Sequence, residues 1–409
     1  MKVLHLNTHS SGGSYESAAL LCETMPTEGI DSRLYCRPAA RPPGFKGLLD
    51  RVVRRWYISS SREPWHGTRR LLPSPAAEDL NEIDVVHLHT VADWFNVPSW
   101  LETLPGRVGV VVSLHDMWHI TGGCFLYRGC DLFTDTCAPC PILKRPFDQI
   151  LAKDEQRRKL QAYRKRGVQF VANSRWLENL AERSPIVRAC GGARVITPGI
   201  DTAVFRAQDR MQCREELAIP QDAFVIATGA ASLADENKNI QWLLEQLAGL
   251  SELENVLVLL AGEGALKTPV GLNVRSLGDV PDRKKRAKIF GAADIFVSAS
   301  LMETYGLTLV EAMSCGTPVV AFRTGGVSEA VPDGEGGILC EILDATGFKN
   351  AIETLRTRKE LRHELGNTAS NLAATRNSKE LFAAAFAGLY RECFHFPKTP
   401  SAEASAVVT

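Results

Sequence analysis

Three features common in other protein classes are missing from this 409-residue sequence. No stretch approaches about eighteen consecutive apolar residues, so we expect no transmembrane helix. Lys plus Arg equals Asp plus Glu at 47 each, so the overall charge gives no argument for nucleic-acid binding. The start of the chain, from Met1 to Gly13, holds too few apolar side chains for a secretion signal. We therefore expect a cytoplasmic protein with reduced thiols.

Two nucleotide-enzyme motifs are also missing. The Ser- and Gly-rich loop from Thr8 to Ser14 contains Gly12 and Gly13 but lacks the full dinucleotide-binding fingerprint. No Asp-x-Asp pair follows a predicted strand, which disfavours a divalent-metal-dependent transferase. The length nevertheless predicts two or three domains, each large enough for its own core.

Short apolar strands alternate with helical patterns throughout the chain, which predicts an α/β protein with doubly wound sheets. Val3 to Leu6 leads through the glycine loop into a helix, and Phe224 begins a second series. The strand from Val108 to Leu114 ends in His115 and Asp116. Because ligands of such sheets bind at the carboxyl ends of the strands, we predict that His115 is a site residue.

A second candidate site lies between Glu303 and Pro318. We expect a helix to begin near Gly306, with Glu303 in the preceding loop and Glu311 inside the helix. A helix N-terminus attracts a diphosphate, and carboxylates accept hydrogen bonds from sugar hydroxyls. This pattern favours a nucleotide-sugar ligand, although two surface glutamates beside an ordinary helix would have the same spacing.

From about Ala292 to Gly337 the sequence resembles glycosyltransferase family four, whose members are retaining enzymes with the GT-B fold. The resemblance rests on Glu303 and Glu311 with seven residues between them, and on the following strand that begins Gly316-Thr317-Pro318-Val319. It implies two Rossmann-like doubly wound domains that face each other across a cleft, and a C-terminal helix that crosses back to the first domain.

The resemblance also divides the chain. It implies an acceptor-side domain over residues 1–200 and a nucleotide-sugar-binding domain over 201–378. A crossover helix over 379–395 and a disordered tail over 396–409 complete the chain.

Residue roles follow from the same resemblance. Lys238 would hold the donor diphosphate, Glu303 the hydroxyls of the donor sugar, Glu311 the ribose, and His115 the sugar from the other domain. Further donor-binding positions are Gly12, Gly13, Gly262, Tyr305, Gly306 and Leu307. The family also has an arginine in the loop before Lys238; this chain has Ser232 or a neighbour there, so one diphosphate-binding cation is missing.

Four cysteines occupy the loop over residues 122–142: Cys124, Cys130, Cys137 and Cys140. The C-x2-C spacing of the last two is that of a chelating turn, and four thiolates would suit a structural zinc ion, with an iron–sulfur cluster as a lesser alternative. Plain reduced cysteines and disulfides stay open as alternatives. Similar insertions occur in the colanic-acid branch of the family.

The segment from Arg33 to Arg70 carries ten Arg and Lys residues against Asp50 and Glu63, interleaved with apolar residues. The apolar positions at roughly helical spacing are Leu48, Leu49, Val52, Val53, Trp56 and Tyr57. This pattern predicts either a helix on the anionic inner membrane or a solvated helix with its apolar face in the core.

The sequence thus predicts a metal-independent, retaining transferase that moves a sugar from a UDP- or GDP-sugar to a glycan or lipid-linked oligosaccharide. The cell-surface product would be exopolysaccharide, capsule or lipopolysaccharide. No catalytic cofactor and no nucleic-acid partner is expected. Two alternatives remain: a non-catalytic GT-B scaffold of a polysaccharide assembly complex, and a GT-B nucleotide-sugar epimerase.

Overall fold

The computed structural model describes residues 1–38, 58, 65–68, 75, 80–250 and 255–395. These residues form two compact units: Met1–Ile196 with the chain from Ala383 onward, and Thr197–Phe382. Each unit contains one six-stranded sheet in which all pairings between strands are parallel. The prediction of two doubly wound α/β domains is therefore confirmed.

The sheet of the first unit has the strand order β2-β1-β3-β4-β5-β6. Its strands are β1 (Lys2–Asn7), β2 (Asp31–Cys36), β3 (Val85–Leu88), β4 (Gly109–Leu114), β5 (Gln169–Ala172) and β6 (Ala193–Val195). All four side chains of β3 are buried, as expected for an interior strand of a parallel sheet covered on both faces. In this order β1 lies between β2 and β3, and β4 lies on the other side of β3. Because these strands are parallel, the carboxyl ends of β1, β3 and β4 lie side by side, in that order, along one edge of the sheet.

Within the described ranges, five helices connect these strands: α1 (Gly13–Thr24), α2 (Val97–Thr103), α3 (Phe147–Arg166), α4 (Arg175–Ala181) and α5 (Pro185–Arg188). Short 3-10 helices occur at Met25–Glu28, Trp118–Ile120 and Leu132–Thr134. Ser174 caps α4, because its hydroxyl accepts a hydrogen bond from the Leu177 amide at 3.1 Å.

The sheet of the second unit has the strand order β12-β11-β10-β7-β8-β9. Its strands are β7 (Phe224–Ser232), β8 (Val256–Glu263), β9 (Val274–Gly278), β10 (Ile295–Ser298), β11 (Val319–Phe322) and β12 (Gly337–Cys340). Alternate residues of one strand enter two different cores: Val225 packs into one and Ile226 into the other. Both faces of this sheet are therefore covered.

The helices after β6 lie in the second unit, except the last, α13, which continues beyond Phe382 into the first unit. They are α6 (Arg210–Glu216), α7 (Ile240–Ala248), α8 (Arg283–Ala292), α9 (Leu307–Ser314), α10 (Val327–Ala330), α11 (Ala345–Thr357), α12 (Lys359–Arg376) and α13 (Lys379–His395). The helical region from Ala345 to His395 is divided at Arg358 and again at Asn377.

The last helix, α13, returns to the first unit, as the family resemblance implied. The Tyr390 hydroxyl lies 2.7 Å from Nδ1 of His87 in β3, and Phe386 stacks near the same imidazole. Both aromatic side chains are at most 1% exposed, so this part of α13 is an integral part of the first unit's core.

Within the described ranges, no helix is both long and apolar enough to cross a membrane. The apolar positions of the predicted basic segment, Leu48 to Tyr57, lie outside the described residues, and so does the predicted tail over 396–409.

Candidate active site

At the carboxyl edge of the first sheet, His115 directly follows β4. The side chain is half-buried, and its Nε2 lies 2.9 Å from Nδ1 of His89. The neighbouring Asp116 carboxylate accepts a hydrogen bond from the Trp118 amide at 2.7 Å. Burial raises the pKa of Asp116 to about 6, partly offset by this hydrogen bond and by Lys159. His115 is therefore at a strand end, as predicted, beside a carboxyl group whose pKa lies near neutrality.

The glycine loop follows β1, which is separated from β4 by β3 in the sheet. Gly12 occupies the N-cap position of α1 with φ of +87°, a conformation that favours glycine, and Gly13 is the first helical residue. The Gly12 carbonyl accepts the first helical hydrogen bond, from Glu16, at 3.0 Å. The predicted strand–loop–helix geometry is present; the role of these glycines in donor binding stays a prediction.

In the second unit, Glu303 precedes a helix that begins one residue after Gly306, close to the predicted start. Gly306 is the N-cap of α9 and adopts a φ of +101°. The backbone of Glu303 is fixed from another part of the chain: its carbonyl oxygen accepts the Gly326 amide at 2.9 Å. A Cβ at Gly325 would overlap the same oxygen, so the glycine pair keeps the Glu303 loop in place.

Lys238 and Glu303 form an ion pair, although 65 residues separate them in sequence. The Lys238 ammonium lies 2.5 Å from the Glu303 carboxylate, and the two side chains are 32% and 19% exposed. Burial alone would lower the pKa of Lys238, but the charge and hydrogen bond of Glu303 outweigh it, so the pKa is raised. Lys238 is thus a cation at neutral pH, held beside Glu303 in the loop that precedes α9.

Glu311 lies inside α9, as predicted, but it has a partner that the sequence did not indicate. Its carboxylate accepts a hydrogen bond from the Arg286 guanidinium at 3.1 Å, and Glu311 is only 8% exposed. The Arg286 guanidinium also lies over the ring of Phe205 at 5.7 Å. The one available signal was that Arg286 falls on a basic helix just before the motif, which does not identify its contact.

Three further predicted positions are occupied in different ways. The Tyr305 ring is 4% exposed and its hydroxyl accepts a hydrogen bond from Asn377 at 2.8 Å, so its side chain belongs to the core. Leu307 opens α9 and is half-buried. Gly262 has a φ of +145°, and a Cβ there would overlap the Ala230 carbonyl, so this glycine allows β7 and β8 to approach closely. Ligand roles at these positions stay predictions.

Ser232, one of the residues expected where the family has an arginine, is the last residue of β7 and is exposed. It pairs in the sheet with Glu263. In the described part of the chain, Lys238 pairs with Glu303 and Arg286 pairs with Glu311. The absence of the family's arginine from this loop stays a prediction.

The Cys-rich loop brings four thiols into one region of the first unit. Cys137 and Cys140 are buried, and Cys124 and Cys130 are half-buried. The Gly122 amide donates a hydrogen bond to the Cys137 sulfur at 3.1 Å. All eleven cysteines of the chain fall within the described ranges, and none is in a disulfide. No three of the four loop sulfurs lie within 4.8 Å of one another, so the zinc site stays a prediction.

Comparisons with known proteins identify the family to which this chain of two parallel α/β units belongs. A family model described as "Glycosyltransferase Family 4" matches residues 11–204, and one described as "Glycosyl transferases group 1" matches residues 224–358. D-inositol 3-phosphate glycosyltransferase 2 of Catenulispora acidiphila is 32% identical in an alignment 416 residues long, gaps included. The alignment covers 94% of this chain and 90% of that protein. This chain belongs to glycosyltransferase family 4.

Two further proteins are similar over different lengths. WcaC of Escherichia coli, a glycosyl transferase named for colanic acid biosynthesis, is 27% identical over 273 residues, which cover 63% of this chain and 64% of WcaC. The structure of Anabaena HepE in complex with UDP and glucose superposes with a TM-score of 0.62 at 18% identity. It covers 96% of this chain and 99% of HepE, and it supports the GT-B fold.

Proposed function

We propose that this protein transfers a sugar from a nucleoside-diphosphate sugar to a glycan or lipid-linked acceptor during synthesis of a cell-surface polysaccharide. Family membership supports the transferase activity, and the similarity to WcaC supports the polysaccharide role. HepE, which has the same fold, was solved with UDP and glucose, so UDP-sugars are the first donors to test, with GDP-sugars next. The basic segment from Arg33 to Arg70 would bring the protein to the cytoplasmic face of the inner membrane.

The observation that carries this proposal is the grouping around the N-terminus of α9. Lys238 and Glu303 lie in contact there, and Glu311 follows inside the helix beside Arg286. The first amides of α9 and the Lys238 ammonium both attract a diphosphate. An ammonium has three N–H donors, so Lys238 can hold Glu303 and a phosphate oxygen together. The carboxylates are then available for the sugar and ribose hydroxyls.

These groups also suit the chemistry of transfer. As the bond between the sugar and the diphosphate breaks, negative charge grows on the leaving diphosphate, where Lys238 and the helix N-terminus stabilise it. The family resemblance adds a front-face reaction with retention, in which a diphosphate oxygen takes the acceptor's proton. His115 would contact the donor sugar. No step of this scheme uses a metal ion.

The test is a thermal-shift panel of UDP-, GDP- and ADP-sugars on the wild type and Glu311→Gln. A ligand that binds only the folded state raises the melting temperature, because it stabilises that state. At a ligand concentration one hundred times Kd the added stability is about 2.7 kcal/mol. We expect one nucleotide class to give a shift that Glu311→Gln loses. Glu335→Gln, which changes an exposed carboxylate of the same unit, is the control and keeps the shift. No shift with any donor would contradict the proposal.

The expected lack of the family's arginine at or near Ser232 favours one alternative, a non-catalytic scaffold. Radiolabelled donor incubated with cell-envelope acceptors separates the alternatives. A transferase labels the acceptor, and Glu303→Gln abolishes the labelling. An epimerase converts the donor without any acceptor, and a scaffold does neither while still assembling with its complex.

We also infer that the four loop thiols hold a structural zinc ion. Four sulfurs are the donor set that zinc prefers in closed sites. Burial raises the pKa of Cys124, Cys137 and Cys140, that of Cys137 to about 12, so the ion would have to displace the thiol protons. The Gly122 amide, which donates to the Cys137 sulfur, and the buried Lys159, which is electrostatically attracted to Cys124 and Cys137, favour this loss of protons. The ion would fix the loop and take no part in transfer, because four thiolates leave no open coordination position.

Elemental analysis of protein purified without added metal tests this inference. We expect one zinc per chain, lost in Cys137→Ser and retained in Cys190→Ser, which changes a half-buried cysteine outside the loop. Absence of zinc, with all four thiols reactive toward a thiol reagent after unfolding, would favour plain reduced cysteines. Iron with inorganic sulfide would favour the cluster.

A further inference from the structure

The Lys238–Glu303 ion pair joins two loops that follow neighbouring strands of the second sheet. Lys238 lies between β7 and α7, and Glu303 lies between β10 and α9. The backbone pairing of β7 with β10 reaches only to Ala227 and Phe296, well before either loop reaches the ion pair. Past these residues the hydrogen bonds of the sheet do not hold the two loops together. Another contact is therefore needed to fix the distance between them.

That contact is made by Asn237, the residue before Lys238, through both its backbone and its side chain. Its carbonyl oxygen accepts the Leu301 amide at 2.8 Å, and its side-chain amide donates to the Met302 carbonyl oxygen at 2.8 Å. Because a backbone carbonyl only accepts hydrogen bonds, the NH2 group of Asn237 faces Met302. Asn237 and Met302 each directly precede a member of the ion pair, so these bonds fix the backbone beside both charges.

Each of the two loops also has support of its own. The Asp235 carboxylate accepts the Asn237 amide at 2.9 Å, and the Asp235 carbonyl accepts the Lys238 amide at 3.0 Å. Such bonds from an aspartate to the backbone that follows it stabilise a turn. The other loop is held from the end of β11, since the Thr324 hydroxyl donates to the Leu301 carbonyl at 2.8 Å. Asn237 fixes one ordered loop against the other.

The ion pair alone would hold the Lys238 ammonium only weakly. The side chains of Lys238 and Glu303 are 32% and 19% exposed. An ion pair between partly exposed side chains contributes little by itself, because ordering two flexible side chains costs conformational entropy. Asn237, by contrast, is only 8% exposed, so water competes little for its hydrogen bonds. The position of the ammonium therefore depends on the backbone contact that Asn237 makes.

We propose that Asn237 is a positioning residue of the donor site, which joins the two loops, keeps Lys238 against Glu303 and so prepares the ammonium for the donor diphosphate. The part that concerns the diphosphate rests on the proposed function, in which Lys238 holds this group; the joining of the loops does not. An ammonium that is already in place costs less entropy to order when the ligand binds, which raises affinity.

The proposed role makes a distinction between parts of the donor. Lys238 would contact the diphosphate, so the loss of Asn237 should weaken a nucleoside diphosphate and spare the nucleoside. Glu311, which is proposed for the ribose, lies within α9 and outside the two joined loops. A residue that merely supported the fold would affect both ligands alike.

The first test observes the Lys238 ammonium directly, by NMR of the full chain labelled with 15N-lysine. Lys238→Arg assigns the signal. Burial would lower the pKa of Lys238, but the charge and hydrogen bond of Glu303 raise it, so the group is protonated at neutral pH. Asn237→Leu keeps a side chain of similar shape but cannot donate to Met302. We expect the hydrogen exchange of the Lys238 ammonium to rise about fivefold, the effect of one lost hydrogen bond on an equilibrium.

Asn237→Ala is the second variant and should give the same result if Asn237→Leu does not fold. Thr317→Val is the matched control, because Thr317 is 1% exposed and its hydroxyl donates to the Phe290 carbonyl at 2.7 Å. It therefore also loses one buried bond from a side chain to the backbone, but before the amino end of β11. Its melting temperature should fall, whereas the Lys238 signal should not change.

The second test measures ligand affinity, with UDP in calorimetric titration and uridine in saturation-transfer NMR. GDP and guanosine take their places if the thermal-shift panel selects GDP. UDP affinity should fall about fivefold in both Asn237 variants, in line with one lost hydrogen bond, and uridine affinity should stay the same. Thr317→Val should keep both affinities.

Two results would overturn the inference. Unchanged exchange of the Lys238 ammonium in both Asn237 variants would show that Asn237 does not hold it. An equal loss of UDP and uridine affinity would show that Asn237 supports the whole site and not Lys238. If exchange rises but UDP affinity stays the same, and Lys238→Met also binds UDP normally, the part that concerns the diphosphate fails together with the proposed role of Lys238.

Discussion

Replacement of Asp294 by asparagine should be the most damaging isosteric change in the second unit. Asp294 is 4% exposed and forms ion pairs with Arg214 at 2.8 Å, Arg210 at 3.2 Å and Arg362 at 3.3 Å. It also accepts the Val225 amide at 2.8 Å. Asparagine keeps an oxygen for this amide but removes the negative charge that offsets three guanidinium groups.

The expected cost follows from the burial of the cations that remain. Removing one partner of a buried ion pair costs about 3–5 kcal/mol. Arg214 and Arg362 are buried, but both also donate to backbone carbonyls, of Ala292 and Leu355 respectively. These contacts keep some of the guanidinium hydrogen bonds, so we expect the lower end, about 3 kcal/mol.

Asp333→Asn is the matched control, because Asp333 has the same types of partner at the surface. Its carboxylate accepts the Leu339 amide at 2.9 Å and pairs with Arg323 at 2.6 Å, with both side chains about 40% exposed. Exposed pairs contribute roughly 0–1 kcal/mol, so this variant should lose less than about 1 kcal/mol.

Urea unfolding of both variants, with the melting temperature as a second measurement, provides the comparison. For a unit of this size about 3 kcal/mol corresponds to a fall of roughly 6–12 °C. If Asp294→Asn and Asp333→Asn lose the same small amount of unfolding free energy, burial does not determine how strongly the Asp294 cluster stabilises the protein, and the reasoning is wrong.

Three further predictions concern the candidate sites. Gly325→Ala should lower both stability and donor affinity, because its Cβ would overlap the Glu303 carbonyl. The control is Gly334→Ala, since Gly334 also has a positive φ but has open space where the Cβ would lie. The control should lose only about 1–2 kcal/mol of stability and keep its donor affinity in calorimetric titration. Asp116→Asn should stabilise the protein by about 1–3 kcal/mol at pH 8 and by nothing below pH 4. The reason is that the pKa of Asp116 is raised in the folded protein, so the wild type loses stability as pH rises from about 4 through 6. Chemical unfolding at both pH values checks the sign. Lys238→Met should weaken UDP binding about 10- to 100-fold, the loss of one charge-assisted hydrogen bond, while Lys238→Arg retains most of it; equal affinity of all three proteins would remove Lys238 from the donor site.

Local patterns predicted much of this fold because the forces behind them act within a few residues. The start of α9 after Gly306 requires a positive φ that glycine adopts easily, and Ser174 caps the next helix through a hydroxyl three residues from its partner. The position of His115 followed in the same way from the end of an apolar strand. Element ends follow less directly from local patterns: β7 continues past its buried residues to the exposed Ser232.

Contacts between distant residues were not predictable, because they depend on strand register and helix packing. Arg286 meets Glu311 only because α8 and α9 pack together, and Gly325 meets Glu303 only because two loops follow neighbouring strands. The sequence shows that His87 and His89 are alternate residues at the end of an apolar strand. It does not show their hydrogen bonds to other elements, such as that of His87 to Tyr390. Tyr305 shows the converse: its position beside the motif suggested a ligand contact, whereas packing turns its ring into the core.

The return of α13 to the first unit has a consequence for synthesis on the ribosome. Residues 197–382 form the second unit from one continuous stretch, so it can fold as soon as that stretch has emerged. The first unit emerges earlier but lacks Phe386 and Tyr390 until the last residues are translated, and its buried His87 has no hydroxyl partner from α13 until then. Domains usually complete folding from the N-terminus onward during translation. In this protein the unit made first is finished last.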